Sequence, residues 1–297
     1  MANQFEGAIR AAGPVIDPES ARALYEGWHV GGADGAVAID AAYGLDERHR
    51  LDVYSPAAPV VGGAPVIVFL HGGGFIRGDK AHRAEVGHYF ARNGVLTILP
   101  NYRLGPTHRW PAGAQDVASV FEWAQQNVAR FGGDPRRIVL AGESAGAAHV
   151  AAAVLVKRFH PPGGLPASGA ILVSGVYNAE LELKARRQLG IATPDPRNEA
   201  YFGTDFAYYG CMSTVDLVDA APLPLLVSYA ELDPIQMQVQ AGELFARLVT
   251  RHGFDADIQV VRGHNHLTQV YSINTADDAL AGSMLAFVRA CPPRAEP

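Results

Sequence analysis

Cysteine is scarce in this chain, with only Cys211 and Cys291 among 297 residues. Neither stands near a histidine or a second cysteine at a ligand spacing, so neither a disulfide framework nor a zinc site is expected. Both are read as small buried residues. Charge is also sparse, at 18% of residues, and 24 Lys plus Arg against 30 Asp plus Glu leave a net charge of −6. No run of like charge offers a basic face, which argues against nucleic acid as a partner. No apolar run approaches the roughly eighteen residues of a membrane span, and Met1 to Glu6 lack the basic and apolar regions of a secretory signal. The chain is therefore read as soluble and cytoplasmic, with no membrane partner. Its 48% of hydrophobic residues is too apolar for disorder.

From about residue 65 short apolar runs alternate with longer amphipathic ones, the rhythm of a parallel sheet covered by helices. Strands are predicted at Pro65 to Leu70, Val95 to Pro100, Arg137 to Ala141, Gly169 to Val173, Leu223 to Tyr229 and Asp257 to Val261. Their continuous β-branched and leucine character fits strands buried on both faces. Val117, Val120, Phe121, Ala124 and Val128 recur at helical spacing before a Gly-Gly-Asp-Pro stop, and Met237, Ala241, Leu244, Phe245 and Leu248 do the same before Gly253. Ala145 to Phe159 is almost wholly apolar or small and reads as a central helix. Two stretches break the rhythm: residues 1–35, with a helix-like segment from Pro18 to Tyr25, and a Tyr-rich insertion over 178–221 containing Pro194, Asp195 and Pro196. Both are expected to cover the C-terminal edge of the sheet, where ligands bind in open α/β folds. The whole chain, 1–297, is read as one domain.

Gly142-Glu143-Ser144-Ala145-Gly146 follows one predicted strand and opens the apolar helix. That context makes it a nucleophile elbow, a turn so tight that a Cβ on either flanking glycine would collide with neighbouring backbone. A second glycine loop, His71-Gly72-Gly73-Gly74-Phe75, follows the strand ending at Leu70. Consecutive glycines let several backbone N–H groups converge on one point, as the oxyanion of a tetrahedral intermediate requires. The endings of a phosphate-binding P-loop and of a dinucleotide site are both absent. His71 itself is expected to position the loop.

A serine hydroxyl needs a base, and the base needs an acceptor to orient it. In such folds the acid and then the histidine follow the serine along the chain. Ala230-Glu231-Leu232-Asp233-Pro234 follows one predicted strand and Arg262-Gly263-His264-Asn265-His266 another. Asp233 is the expected acid, with Glu231 as competitor, because the following proline fixes a turn. His264 and His266 both stand as candidates for the base. As a metal pair they lack further ligands at recognisable spacing, so neither metal nor cofactor is expected.

Together these residues resemble the α/β-hydrolase fold, and within it the hormone-sensitive-lipase-like carboxylesterases. The likeness runs from about residue 50 onward. It includes Asn101-Tyr102-Arg103-Leu104-Gly105-Pro106 and the downstream Asp116, a segment that is usually structural in that family. The resemblance implies a mostly parallel central sheet with helices on both faces, and a small cap from the N-terminal segment and the 178–221 insertion. It implies a catalytic Ser144, Asp233 and His266, the histidine preferred because the family places it before an apolar residue, here Leu267. It implies oxyanion donors at Gly73, Gly74 and Ala145, a small ester with a short to medium acyl chain as substrate, and permits a homodimer. Departures are Glu143 where Asp is common, Ala147 where a second glycine is common, and His266-Leu267-Thr268 in place of a His-Gly-Phe ending. Arg77-Gly78-Asp79-Lys80 looks similar to kynurenine formamidase-like relatives, which makes aryl formamide or other amide hydrolysis the alternative. A receptor that keeps the pocket without hydrolysis is the reading from another class.

Overall fold

The computed structural model describes residues 4–31, 36–188, 196–277 and 279–294. Eight strands form one sheet: β1 (Ala36–Ala42), β2 (Arg50–Tyr54), β3 (Ala64–Leu70), β4 (Leu96–Pro100), β5 (Gly133–Glu143), β6 (Gly169–Val173), β7 (Leu225–Leu232) and β8 (Ala256–Asn265). Their spatial order is β1-β2-β4-β3-β5-β6-β7-β8. The six strands from β3 onward pair in parallel, while β2 runs antiparallel to both β1 and β4.

Those six are the strands the sequence predicts. Helices follow them as α3 (Ala84–Arg92), α4 (Ala112–Asn127), α5 (Ala145–Leu155), α9 (Ile235–His252) and α11 (Ala281–Ala290). Side-chain alternation divides the core between the two faces of the sheet. Val66, Val68, Ile138, Leu140 and Leu172 pack under α4, α5 and α9, whereas Ile67, Phe69, Val139, Ala141 and Ile171 pack against α3 and α11. Every residue of α5 is buried, as its sequence predicts, so the helix behind Ser144 sits in the middle of the molecule. Gly253 closes α9 in the left-handed conformation at φ 67°.

The sequence does not predict β1 and β2. In β1, Val37 and Ile39 face solvent on a sheet edge, and two register irregularities interrupt the pairing. In β2, Asp52 interrupts the apolar run, yet it is buried because Lys80 Nζ reaches its Oδ1 at 2.7 Å. Cys291 is buried, but Cys211 is exposed, which corrects the reading of both as core residues. It lies on a short turn of 3-10 helix at Gly210–Met212, outside the sheet's core clusters.

Among the described residues, the two irregular stretches carry five α-helices. The first holds α1 (Glu6–Ala12) and α2 (Pro18–Tyr25), and the second holds α6 (Ala179–Gln188), α7 (Pro196–Phe202) and α8 (Thr214–Leu217). Asp17 caps α2 by accepting the N–H groups of Glu19 and Ser20, and Pro18 occupies the first helical position. Pro194 and Asp195 lie outside the described residues.

Candidate active site

Ser144 sits between the end of β5 and the start of α5 with φ 52° and ψ −118°, a backbone conformation costly for a residue with a Cβ. The turn is so tight that a Cβ on Gly142 would fall 2.5 Å from the carbonyl carbon of Gly146, and one on Gly146 would fall 2.4 Å from the carbonyl oxygen of Leu70. The two glycines of the motif are thus required by close approach of backbone. The Ser144 N–H donates to Val173 O at 2.8 Å, tying the turn to the end of β6.

Asp233 stands one residue beyond the end of β7, and His266 one residue beyond the end of β8. His266 Nδ1 and Asp233 Oδ1 are 2.6 Å apart, and both side chains are buried. The other carboxylate oxygen, Oδ2, accepts the Ala230 N–H at 2.7 Å and the Ser174 hydroxyl at 2.6 Å. Ser174 follows β6 and is itself held at φ 49°. Burial alone would push the His266 imidazole down, but the Asp233 charge and hydrogen bond, helped by Glu143, outweigh it and hold it above the ordinary histidine value, with Arg197 acting in the opposite sense.

The competing candidates are engaged elsewhere. Glu231 lies within β7, accepts the Gly263 N–H at 2.8 Å and faces Arg10 at 3.1 Å. His264 lies within β8, with its Nε2 3.1 Å from Asp277 and its Nδ1 3.3 Å from Thr268. Glu231 and His264, expected after the strands, instead lie within them, because β7 and β8 each run several residues further than the apolar pattern predicts.

The glycine loop folds back on itself. Gly73 has φ 143° and Gly74 φ 60°, and a Cβ on Gly73 would fall 1.9 Å from Arg77 O. His71 Nδ1 contacts Gly72 O at 2.7 Å, while its ring stacks on Tyr102, whose hydroxyl donates to His71 O at 2.8 Å. Burial pushes His71 down to about 4, so it is neutral near pH 7 and its Nδ1 donates. Behind Tyr102, the Arg103 guanidinium and backbone N–H both bond Asp116. The segment from Asn101 to Asp116 thus braces the loop, and Lys80, gripped by Asp52 and Asp40, braces its far end. Two contributors are missed by the sequence reading. Glu143 accepts the Gly72 N–H at 2.9 Å and pairs with buried Arg83 at 2.5 Å, so it joins the glycine loop to the serine turn.

Ser144, His266 and the glycine loop line one cavity of about 530 Å³. Ile16, Pro18 and Arg22 come to it from the N-terminal segment, Arg197 and Asn198 from α7, and Val176, Met237 and Leu267 supply further apolar wall. The N-terminal segment is fastened at both ends. Arg10 faces Glu231, and Val30 exchanges hydrogen bonds with Asn274, the N–H donating to its carbonyl at 2.7 Å and the side-chain amide returning one at 3.0 Å. Among the described residues no three His, Cys, Asp or Glu side chains converge in a metal-binding arrangement, and no helix is long and apolar enough to cross a membrane.

A strained serine at a strand-to-helix turn, with an acid and a histidine beyond later parallel strands, defines the α/β-hydrolase class. Residues 67–270 match the family model described as alpha/beta hydrolase fold, and the chain belongs to that family. It is similar to the carboxylesterase NlhH of Mycobacterium tuberculosis, 28% identical over 253 residues covering 80% of this chain and 77% of the relative. A probable isoprenylcysteine alpha-carbonyl methylesterase of rice is 28% identical over 75% of this chain and 56% of its own length. Among solved structures, esterase B of Lactobacillus rhamnosis superposes with a TM-score of 0.75 at 17% identity, covering 96% of this chain and 93% of that one. An esterase of the bacterial hormone-sensitive lipase family gives 0.69 at 24% identity, over 98% and 99% of the two chains.

Proposed function

We propose that this protein is a serine carboxylesterase that hydrolyses small carboxylic esters through an acyl-enzyme. The observation that carries the reading is the 2.6 Å contact between His266 Nδ1 and Asp233, in a cavity that Ser144 also lines. Ser144 Oγ attacks the ester carbonyl while His266 Nε2 takes its proton, and Asp233 holds the imidazolium so formed. The backbone N–H groups of Gly73, Gly74 and Ala145 bind the oxyanion. Ala145 suits that task because the first N–H groups of a helix lack an intrahelical acceptor. Collapse of the tetrahedral intermediate breaks the C–O bond, and His266 returns the proton to the leaving alcohol. Water, deprotonated by His266, then attacks the acyl-enzyme, and its collapse releases the carboxylic acid and restores Ser144. Ester hydrolysis by this route needs no cofactor.

The likeness to carboxylesterases favours short to medium acyl chains, and a cavity of about 530 Å³ is compatible with that size. The N-terminal segment and the 178–221 insertion act in this reading as an entrance cap within a single-domain protein, supported by Ile16, Arg22 and Arg197 on the cavity wall. A cytoplasmic setting agrees with two free thiols, and the position of β8 at the end of the sheet, with Ile258 exposed, is compatible with a homodimer. The test is hydrolysis of p-nitrophenyl esters from acetate to decanoate by the wild-type protein and Ser144→Ala, beside a matched aryl formamide. Ester turnover confined to the wild type is expected. A formamide rate exceeding the ester rate would reassign the substrate, and equal turnover in both proteins would remove Ser144 from the mechanism.

A further inference from the structure

The carboxylate of Asp233 has two oxygens, and only one faces the imidazole. The other accepts the hydroxyl of Ser174 at 2.6 Å, and Ser174 in turn contacts Gln269 Nε2 at 2.7 Å. Gln269, in α10 (Thr268–Tyr271), also reaches the carbonyl oxygen of His266 at 3.2 Å. All of these groups are buried.

The polarity of this chain follows from what each group can do. A backbone carbonyl only accepts, so the Gln269 atom facing His266 O must be the amide nitrogen. That nitrogen then donates to Ser174 Oγ as well. A hydroxyl that receives a donor on that side has one hydrogen left to give, and the acceptor in reach is Asp233 Oδ2. Ser174 occupies a left-handed conformation at φ 49°, which is strained for serine and brings its side chain under the carboxylate.

We propose that Ser174 and Gln269 are positioning residues for hydrolysis, forming a directed relay in which Gln269 aims the Ser174 hydroxyl and Ser174 fixes the Asp233 carboxylate for His266. The inference rests on the serine hydrolase reading given above. Neither residue touches the cavity, and both act through Asp233 and His266 alone. With Ser174 engaged, part of the carboxylate charge is compensated at Oδ2. Without it, that charge falls more fully on the imidazolium.

Ser174→Ala and Gln269→Met, singly and together, test the relay. The charged groups acting on His266 are Asp233 from the end of β7, Glu143 from β5 and Arg197 from α7. Arg83 pairs with Glu143, and the same cavity is lined by Asp17, Glu19 and Arg22 from the N-terminal segment, by His71, Arg77, Asp79 and His82 from the glycine loop and the turn after it, and by Tyr271 from α10. Both substitutions leave every one of these in place. For Ser174→Ala we expect kcat on the ester to fall about tenfold, the scale of one hydrogen bond to a charged group, with KM within about twofold. The acid limb of kcat/KM should move to higher pH by about half a unit, because the imidazolium is held more strongly. Gln269→Met should cost less in the Ser174→Ala background than in the wild type, since one acts through the other.

A second readout needs no substrate. The His266 Nδ1–H proton, bonded to Asp233, gives a low-field NMR resonance that should shift in Ser174→Ala and in Gln269→Met while unfolding stays cooperative. An unchanged resonance, or additive losses of kcat with a fixed acid limb, overturns the relay and leaves the two residues structural. Failure of the esterase reading is seen separately, as a wild type that turns over no ester, and the resonance still decides the relay.

Discussion

Glu143 and Arg83 meet at 2.5 Å beneath the Ser144 turn, both buried, and the same Glu143 oxygen accepts the Gly72 N–H at 2.9 Å. One carboxylate therefore holds together the serine turn and the glycine loop, the two elements that in the proposed mechanism present a nucleophile and oxyanion donors to the same carbonyl. The longer reach of Glu over Asp at this position is what brings it to Arg83.

Removing that charge strands a buried cation. Glu143→Gln keeps an acceptor for Gly72 but takes away the counter-charge of Arg83, leaving its guanidinium the His82 carbonyl and the Tyr271 ring, and breaking a buried ion pair from one side costs about 3–5 kcal/mol. Urea unfolding should show a loss of that size, and adding Arg83→Met should recover part of it. Equal stability of wild type and Glu143→Gln would show that Arg83 finds another partner or water.

The elevated imidazole sets the pH profile. In the proposed mechanism His266 must be neutral to take the Ser144 proton, so kcat/KM should fall on acidification through a midpoint above the ordinary histidine value of 6.5. In Asp233→Asn the main supporting charge is gone, and burial together with Arg197 outweighs what Glu143 adds, so the midpoint should drop below that value while kcat falls by about 10⁴. A midpoint that moves upward in Asp233→Asn would contradict the assigned partner.

Strain at Ser144 separates activity from stability. Ser144→Gly should reduce kcat by about 10⁴ or more, yet raise stability by about 1 kcal/mol because glycine adopts φ 52° freely. Thermal unfolding of the two proteins side by side checks this, and a destabilised Ser144→Gly would mean that the serine side chain contributes more to the fold than its backbone costs.

The two histidines should divide along the same line. His266→Ala should abolish turnover, whereas His264→Ala, which removes a side chain lying between Asp277 and Thr268, should lower the melting temperature and leave kcat within about tenfold. Steady-state kinetics and melting curves on both variants decide it, and a larger kinetic loss at His264 would reverse the assignment.

The parallel half of the sheet was legible because its strands are buried on both faces, which writes a continuous apolar run into the sequence. β1 and β2 left no such mark: one is a solvent-facing edge and the other carries Asp52, which is tolerated because Lys80 comes from a distant turn and the Asp40 N–H adds a second bond. The serine turn and glycine loop were legible because close backbone approach demands glycine at fixed spacing. Choosing between His264 and His266, or between Glu231 and Asp233, was a matter of where each strand stops. That boundary is set by pairing between β7 and β8, which runs on to Leu232 and Asn265, and no local pattern records it. Ser174 and Gln269 were invisible for a similar reason, since 95 positions separate two residues that meet at 2.7 Å.

The N-terminal segment adds walls to the cavity while being fastened outside it, by Arg10 to Glu231 at one end and by Val30 to Asn274 at the other. Between these anchors α2 is seated by buried Ala21 and Tyr25, and His29 Nε2 meets the Tyr271 carbonyl at 3.0 Å, so the segment behaves as a strap held at its ends and in its middle. The aperture over Ser144 can then be retuned by slackening either fastening, with no change to any residue that meets the substrate. Directed evolution for bulkier esters has its cheapest starting positions at Arg10 and Asn274, remote in sequence from the serine they would uncover.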